Sequence, residues 1–158
     1  MSLYNNVVKL LDERCGHDKE VIIALATISE QVNALGNSTP SVRMVCSYYE
    51  DGVFYVSTDA TSNKMKQISK NNAVSIGGLD WFCCEGYAES LGWVKEKRNA
   101  NIRAKFHQVF DWFADVGDED NQDSIILRIT PTKGTVIEHG EKGGPRKYEV
   151  DFVNQTVS

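Results

Sequence analysis

Two cationic side chains and a run of hydroxyl groups lie close together in this sequence. Arg43 lies in a β-rich run, Ser57 and Thr58 end the next one, and Ser62 and Lys64 open a short amphipathic stretch. Cations, hydroxyls and a helix N-terminus are the groups with which proteins bind anions such as phosphate. The sequence therefore predicts an anion-binding corner where these residues meet at one edge of a sheet.

Each of these residues also has a simpler explanation. An Arg on a strand, or a Lys in the first turn of a helix, is usually a solvated surface charge. The run from Thr58 to Ser62 fits a plain helix-capping sequence, which uses the same groups as a phosphate site. The prediction rests on the pair, because a Lys at a helix N-terminus opposes the helix dipole unless an anion lies beside it.

Hydrophobic patterning predicts the elements that must position this corner. Asp51-Gly52 between two β-rich runs predicts a tight hairpin, and Pro131 is expected to break a later run into two strands. The predicted strands are 21–29, 41–49, 53–58, 73–79, 82–91, 124–130, 135–138 and 148–153; the predicted helices are 2–15, 62–70 and 95–113; the predicted loops are 33–40, 115–123 and 140–147. Short strands joined by turns favour a mainly β fold, an antiparallel β-barrel of about six to seven strands with flanking helices, in one domain spanning residues 1–158.

Composition limits the classes of partner. The net charge of −5 argues against a general nucleic-acid binder, because such a chain offers no broad basic surface. No apolar run approaches the ~20 residues needed to span a bilayer, and the N-terminal residues carry charges where a signal peptide is apolar. The four cysteines show no paired framework. We therefore expect a cytoplasmic protein with no nucleic-acid or membrane partner.

Other sites receive less support from the sequence. Cys83 and Cys84 are adjacent, so on a strand they point to opposite faces and cannot share a metal ion. The three histidines have no paired spacing on a helix face, so no zinc site is predicted. The acidic loop at 115–123 lacks the glycine and the distal glutamate of a calcium loop. Phosphate-loop, dinucleotide and nucleophile-elbow motifs are absent from the sequence.

The order of three motifs is informative. Pro-x-x-Arg-x-Val occupies residues 40–45, Asp-Gly-Val-Phe-Tyr-Val-Ser-Thr occupies 51–58, and Ser-x-Lys occupies 62–64, with Gln67 and Asn71-Asn72 after it. In this order they resemble the pyridoxamine 5′-phosphate oxidase-like family of FMN-binding split β-barrels, which are usually homodimers. The C-terminal part, with Trp112-Phe113, Gly117 and Ile129-Thr130-Pro131, is similar to the general stress protein branch of that family.

The resemblance implies a set of FMN-binding residues. They are Arg43, Met44, Val45, Cys46, Ser57, Thr58, Ser62, Asn63, Lys64 and Trp81. Arg43 would contact the phosphate or the ring edge, and the three residues after it would offer backbone contacts along the isoalloxazine. The two residues 57–58 would bond the ribityl-phosphate, and the three residues 62–64 would close on the phosphate. Trp81 precedes the strand from which a partner subunit would contact the flavin, so the sites would lie between the subunits of a homodimer.

Two departures from the family limit what the resemblance implies. Residue 63 is Asn where the oxidase has a second basic residue, and the sequence up to Ser158 has no Arg- and Trp-containing segment of the kind that holds pyridoxal phosphate there. We therefore expect an FMN-dependent oxidoreductase of unknown substrate, with no catalytic side chain assigned. The alternatives are a non-catalytic flavin-binding or stress-related redox protein, and a split barrel that binds a deazaflavin or haem, with His139 as the haem ligand.

Overall fold

The computed structural model describes residues 1–79, 81–140 and 143–158. Its helices are α1 (Leu3–Cys15), α2 (Asn63–Lys70), α3 (Ala100–Val109) and α4 (Phe113–Val116), with a 3₁₀ turn at Lys97–Asn99. Its strands are β1 (Val21–Val32), β2 (Ser38–Glu50), β3 (Val53–Asp59), β4 (Ala73–Gly78), β5 (Phe82–Trp93), β6 (Ser124–His139), β7 (Pro145–Asp151) and β8 (Thr156–Val157). Among the helices of these ranges, none is long and apolar enough to cross a membrane.

Six of these strands close into an antiparallel barrel. Neighbouring strands follow the order β3-β2-β1-β4-β5-β6, and β3 pairs with β6 to complete the ring. The remaining two strands, β7 and β8, extend the sheet beyond β6. The predicted mainly β barrel with flanking helices is therefore confirmed, with two strands outside the ring.

The barrel is open between β2 and β3. These strands pair only at residues 48–50, beside the hairpin turn, whereas β2 pairs with β1 at residues 40–47. Asp51 and Gly52 both have positive φ, at 49° and 83°, as a tight hairpin turn requires. One backbone edge of β2 between residues 41 and 47 thus has no strand partner in the described chain, so its N–H and C=O groups can bond a ligand.

Helix α2 adjoins this part of the barrel through Gln67, which accepts a hydrogen bond from Arg43 of β2. It follows β3 after a short turn and packs on β1, and Met65 and Ile68, the predicted apolar pair, are buried against the barrel core. The link from β3 to α2 therefore carries Lys64 to the edge formed by β1 and β2.

The prediction of one helix over residues 95–113 is wrong. Phe110 is extended, with φ −106° and ψ 100°, and it ends α3 before the short helix α4 begins. This break lets Phe106, Phe110 and Phe113 all enter a second hydrophobic cluster, in which they pack with Tyr48 and other residues. Burial of three aromatic rings at one place overrides the helical periodicity.

The prediction that Pro131 breaks a strand is also wrong, because β6 runs through it. Pro131 lies opposite Gly86, where the register of the β5–β6 ladder shifts. Proline has no N–H to give to a ladder, so a shift in register is a place where a strand tolerates it.

The bounds of two predicted loops and of the last predicted strand also differ in the structure. Residues 38–40 of the predicted loop 33–40 belong to β2, and β1 runs on to Val32. Of the predicted loop 140–147, residues 141 and 142 lie outside the described residues, and β7 begins at Pro145. β7 therefore starts earlier than the predicted strand 148–153 and ends at Asp151.

Gly86 offers a test of this strand register. A Cβ at Gly86 would lie 2.2 Å from the carbonyl oxygen of Thr130, whereas a Cβ at Gly77 on β4 would meet nothing nearer than 3.5 Å. We expect Gly86→Ala to lower the free energy of unfolding by about 1–3 kcal/mol, the usual cost of overpacking, and Gly77→Ala to lower it by less. Urea denaturation measures both, and equal losses would contradict the register.

Candidate functional site

The fold brings Arg43 and Lys64 to one edge of the barrel. Arg43 lies on β2 opposite Leu25 of β1, and Lys64 lies in the first turn of α2, which packs on β1. Burial lowers the pKa of Lys64 from its ordinary value, and the positive charge of Arg43 lowers it further. The two cations are therefore close enough to repel each other. We call Arg43, Ser62 and Lys64 the cationic corner.

Four neutral acceptors hold the guanidinium of Arg43. Nη1 donates to Thr27 Oγ1 at 2.6 Å and to the Leu25 carbonyl at 3.3 Å. Nη2 donates to Ser41 Oγ at 3.0 Å and to Gln67 Oε1 at 3.1 Å. Burial lowers the pKa of Arg43, but a guanidinium stays charged in proteins. Four of its five N–H donors are thus used without any carboxylate, and the Nε–H remains.

Lys64 has the opposite arrangement. Its ammonium group makes no hydrogen bond or ion pair within the ranges that the structure describes. The charge of Asp59 acts on Lys64, but the Oδ1 of that carboxylate accepts from the N–H of Thr61 at 2.6 Å and from its hydroxyl at 2.5 Å. All three N–H donors of Lys64 are therefore available to a ligand.

Ser62 supplies a hydroxyl group to the corner. It is the N-cap residue of α2, yet its side chain makes no capping hydrogen bond. Its Oγ is buried and is without a hydrogen-bond partner among the described residues. Because leaving a buried polar group unsatisfied costs about 1–3 kcal/mol, a ligand oxygen that bonds Ser62 would be stabilised here. Together with the two cations and the first amides of α2, this hydroxyl fits a phosphate group.

The predicted residues of β3 and the start of α2 adjoin the corner. Ser57 and Thr58 are half-buried at the end of β3, where they pair with Ile126 and Ile125 of β6. Asn63 is exposed as the first residue of α2. A pocket of about 300 Å³ lies beside it; the pocket is lined by Ser29, Glu30, Gln31, Asn63, Lys66 and Gln67.

The three residues that follow Arg43 point their side chains in alternating directions. Val45 is buried in the barrel core, Met44 is 60% exposed on the outer face of the sheet, and Cys46 packs against the second hydrophobic cluster. All three lie on the backbone edge of β2 that has no strand partner in the described ranges. Backbone contact with a ligand remains the prediction for these residues.

Trp81 does not lie at the cationic corner of its own chain. It is in the turn between β4 and β5, where its ring packs on Phe82 with 4.3 Å between ring centroids, and the Arg14 guanidinium lies 5.5 Å from the Trp81 ring. This turn adjoins the first half of β1, whereas the Arg43 side chain reaches Thr27, further along β1. Contact of Trp81 with a flavin stays a prediction.

Two residues of the site, Thr27 and Gln67, were not among the predicted binding residues. Thr27 is fully buried and follows Ile23 and Leu25 on the inward-facing side of β1. A hydroxyl residue at an inward-facing position needs a buried hydrogen-bond partner, which is a signal that the sequence contains. The partner, 40 residues away, is not visible in the sequence.

Solved structures with the same fold place this site in context. Family models and curated protein sequences give no match to this chain. A protein related to general stress protein 26, of the pyridoxinephosphate oxidase family, from Clostridium acetobutylicum aligns with a TM-score of 0.63 at 15% identity, covering 97% of this chain and 99% of that one. A pyridoxamine 5′-phosphate oxidase-related, FMN-binding protein from Nostoc punctiforme aligns at 0.61 and 14%, covering 100% and 95%.

A third solved structure with this fold is named for a different ligand. The haem storage protein of Vibrio cholerae aligns with a TM-score of 0.56 at 18% identity, covering 83% of this chain and 91% of that one. At these identities the likeness concerns the fold. The split β-barrel of pyridoxamine 5′-phosphate oxidase-like proteins is therefore confirmed as the fold of this chain.

Repulsion within the cationic corner predicts that removing one charge stabilises the ligand-free protein. We expect Lys64→Met, which keeps an apolar stem, to raise the free energy of unfolding by up to about 1 kcal/mol at pH 7, since solvent screens a half-exposed pair. The pKa of Lys64 in the folded protein is lowered from 10.5. The loss of stability that the repulsion causes in the wild type is therefore complete at pH values below that lowered pKa. It shrinks as the pH rises towards 10.5, the ordinary lysine value.

Urea denaturation at pH 7 and at pH 10 measures this effect. Lys66→Met is the matched control, because Lys66 is exposed on the same helix. A lower stability of Lys64→Met at pH 7 would contradict the repulsion.

Proposed function

We propose that this protein is a flavoprotein that binds FMN at the cationic corner. The observation that carries the proposal is a set of donors without a partner among the described residues: the ammonium of Lys64, the Nε–H of Arg43, whose charge acts on Lys64, and the buried hydroxyl of Ser62 at the N-cap of the same helix. A terminal phosphate monoester matches these donors in charge and in number of acceptor oxygens. The FMN-binding protein of Nostoc punctiforme, which has the same fold, adds support for the flavin.

The residues of the corner would share the binding. Lys64 would donate to the phosphate oxygens together with Ser62 and the first amides of α2. Arg43 would act mainly through its charge, because it cannot offer a two-pronged contact while four donors are used inside the protein. Ser57 and Thr58 would bind the ribityl chain, and the free backbone edge at residues 44–46 would bond the polar edge of the ring.

We propose an FMN-dependent oxidoreductase as the activity. When bound, FMN supplies hydride and electron transfer at its N5 position, and the protein supplies anchoring and orientation. Asp59, the carboxylate whose charge acts on Lys64, lies beside the corner, is exposed and is held by Thr61. No general acid or base is therefore assigned. A flavin-binding protein without catalysis would use the same site, and oxidation of a reduced nicotinamide by the FMN-loaded protein separates the two.

A haem site receives less support from the geometry. His139, the candidate axial ligand, ends β6, whereas the opposite end of this strand, at Ser124, adjoins Asp59 beside the corner. His17 packs near Tyr49, and His107 of α3 contacts Glu119 in the turn that follows α4. All three histidines thus lie away from the cationic corner, which favours a flavin there.

Binding of FMN to the purified protein tests the proposal. We expect added FMN to co-elute with the protein after desalting, with altered flavin absorption bands. Lys64→Ala should weaken the binding of FMN by about 1–3 kcal/mol, because it removes charge-assisted hydrogen bonds. Lys66→Ala, two residues along the same helix, should change the affinity less than twofold. A protein that binds no FMN, or equal losses in both variants, would rule out this site.

We also propose that the protein is a homodimer with its flavin sites between the subunits. The outer face of β1, β2 and β5 exposes apolar side chains: Ile22, Val42, Met44 and Tyr87 are 57%, 68%, 60% and 40% exposed. Cross-strand pairing places the residues of β1 and β2 in one patch, since Ile22 lies opposite Cys46 and Met44 lies opposite Ala24; Tyr87 lies further along the same face, opposite Ala73 of β4. An apolar patch of this kind marks an interface. A second copy is the occupant that would also carry Trp81 towards the corner.

Light scattering during gel filtration measures the oligomeric state. We expect a mass of about 35 kDa, twice the 17.7 kDa of one chain. Val42→Lys should produce monomers, because it places a charge at the centre of the patch. Val153→Lys, at a residue that is 70% exposed outside the patch, is the control and should remain a dimer. A monomeric wild type would contradict the proposal.

A further inference from the structure

Gln67 holds the guanidinium of Arg43 through a neutral side chain. Its Oε1 accepts from Arg43 Nη2 at 3.1 Å and from the hydroxyl of Thr27 at 2.5 Å. Arginine has donors only, so the atom of the amide that faces it must be the oxygen. The hydroxyl of Thr27 in turn accepts from Arg43 Nη1 at 2.6 Å. Thr27, Arg43 and Gln67 therefore form a closed triangle of hydrogen bonds.

The backbone of all three members of this triangle is fixed. Thr27 is fully buried within β1, and Arg43 lies on β2 two residues from the cross-strand partner of Thr27, Ser41. Gln67 lies on α2 between the buried residues Met65 and Ile68. The triangle consequently has little freedom to rearrange when a ligand arrives.

The same helix positions both cations of the corner. Gln67 follows Lys64 by three residues on α2, and this spacing places the two side chains on one face of a helix. Helix α2 carries Lys64 itself, and it holds Arg43 through the side chain of Gln67. The distance between the two charges is thus set by one rigid element.

The chemistry of residue 67 also decides the charge of the corner. A carboxylate in the place of the amide could accept the same two hydrogen bonds, but it would neutralise Arg43. The amide accepts them and leaves the charge uncompensated. We infer that Gln67 is a positioning residue that orients Arg43 through a neutral hydrogen bond and so preserves the positive charge of the corner for a phosphate. This inference rests on the anion site of the proposed function.

Gln67→Glu is the variant that separates charge from geometry. It keeps the size and both acceptor sites of the side chain and adds one negative charge. We expect it to lower the affinity for inorganic phosphate and for FMN by about tenfold or more, the scale of one charge-assisted hydrogen bond. Ser69→Glu adds the same charge to an exposed position of α2 and should weaken both ligands less than twofold.

A second variant and a second readout exclude a merely structural role. Gln67→Leu removes the acceptor without adding charge, so it should lower the melting temperature. In an NMR pH titration of the Lys64 side chain, Gln67→Glu should raise the pKa of Lys64, because a carboxylate stabilises the ammonium, and Gln67→Leu should not raise it. Loss of phosphate binding in Gln67→Glu without a change in this pKa would overturn the inference.

Calorimetry with inorganic phosphate and with FMN completes the test. Equal losses of ligand affinity in Gln67→Glu and Ser69→Glu would overturn the inference, because a negative charge anywhere on α2 would then have the same effect. A wild type that binds phosphate but not FMN would end the flavin proposal, and the phosphate affinities would still decide the role of Gln67. A wild type that binds neither ligand would overturn both.

Discussion

The parting of β2 from β3 is the constraint on which the rest of this structure depends. β3 pairs with β2 only beside the hairpin turn and then runs along β6, while β2 stays paired with β1. This parting leaves a backbone edge of β2 without a strand partner in the described chain. Helix α2, which follows β3, packs on β1 and buries Met65 and Ile68 in the barrel core. The same helix brings its N-terminus, and Lys64 with it, close to Arg43.

The corner made in this way is unfavourable by itself and is maintained by its surroundings. Two like charges lie close together, the buried hydroxyl of Ser62 has no partner among the described residues, and burial disfavours both cations. The neutral acceptors around Arg43 and the buried face of α2 hold these groups in place. Local conflict in an otherwise consistent fold is typical of binding sites, because a ligand relieves it.

What the sequence predicts well is local. The Asp51-Gly52 hairpin, the amphipathic helix after Ser62 and the meeting of Arg43 with Lys64 all follow from turn chemistry, periodicity and short chain separations. What it does not predict depends on distant partners. Thr27 bonds Gln67 across 40 residues, Phe110 leaves a helix to join other rings, and Pro131 stays in a strand because β5 shifts register opposite it. Each outcome is set by packing that no local pattern records.

The edge of β2 that has no strand partner in the described chain has a consequence for aggregation. An open strand edge beside the exposed side chains of Val42 and Met44 is a template for strand addition by other chains. A ligand or a subunit that covers this edge would remove the template. In the proposed FMN complex, the contacts that bind the ligand would then also reduce aggregation, and newly synthesised chains would be most prone to aggregate before they bind it.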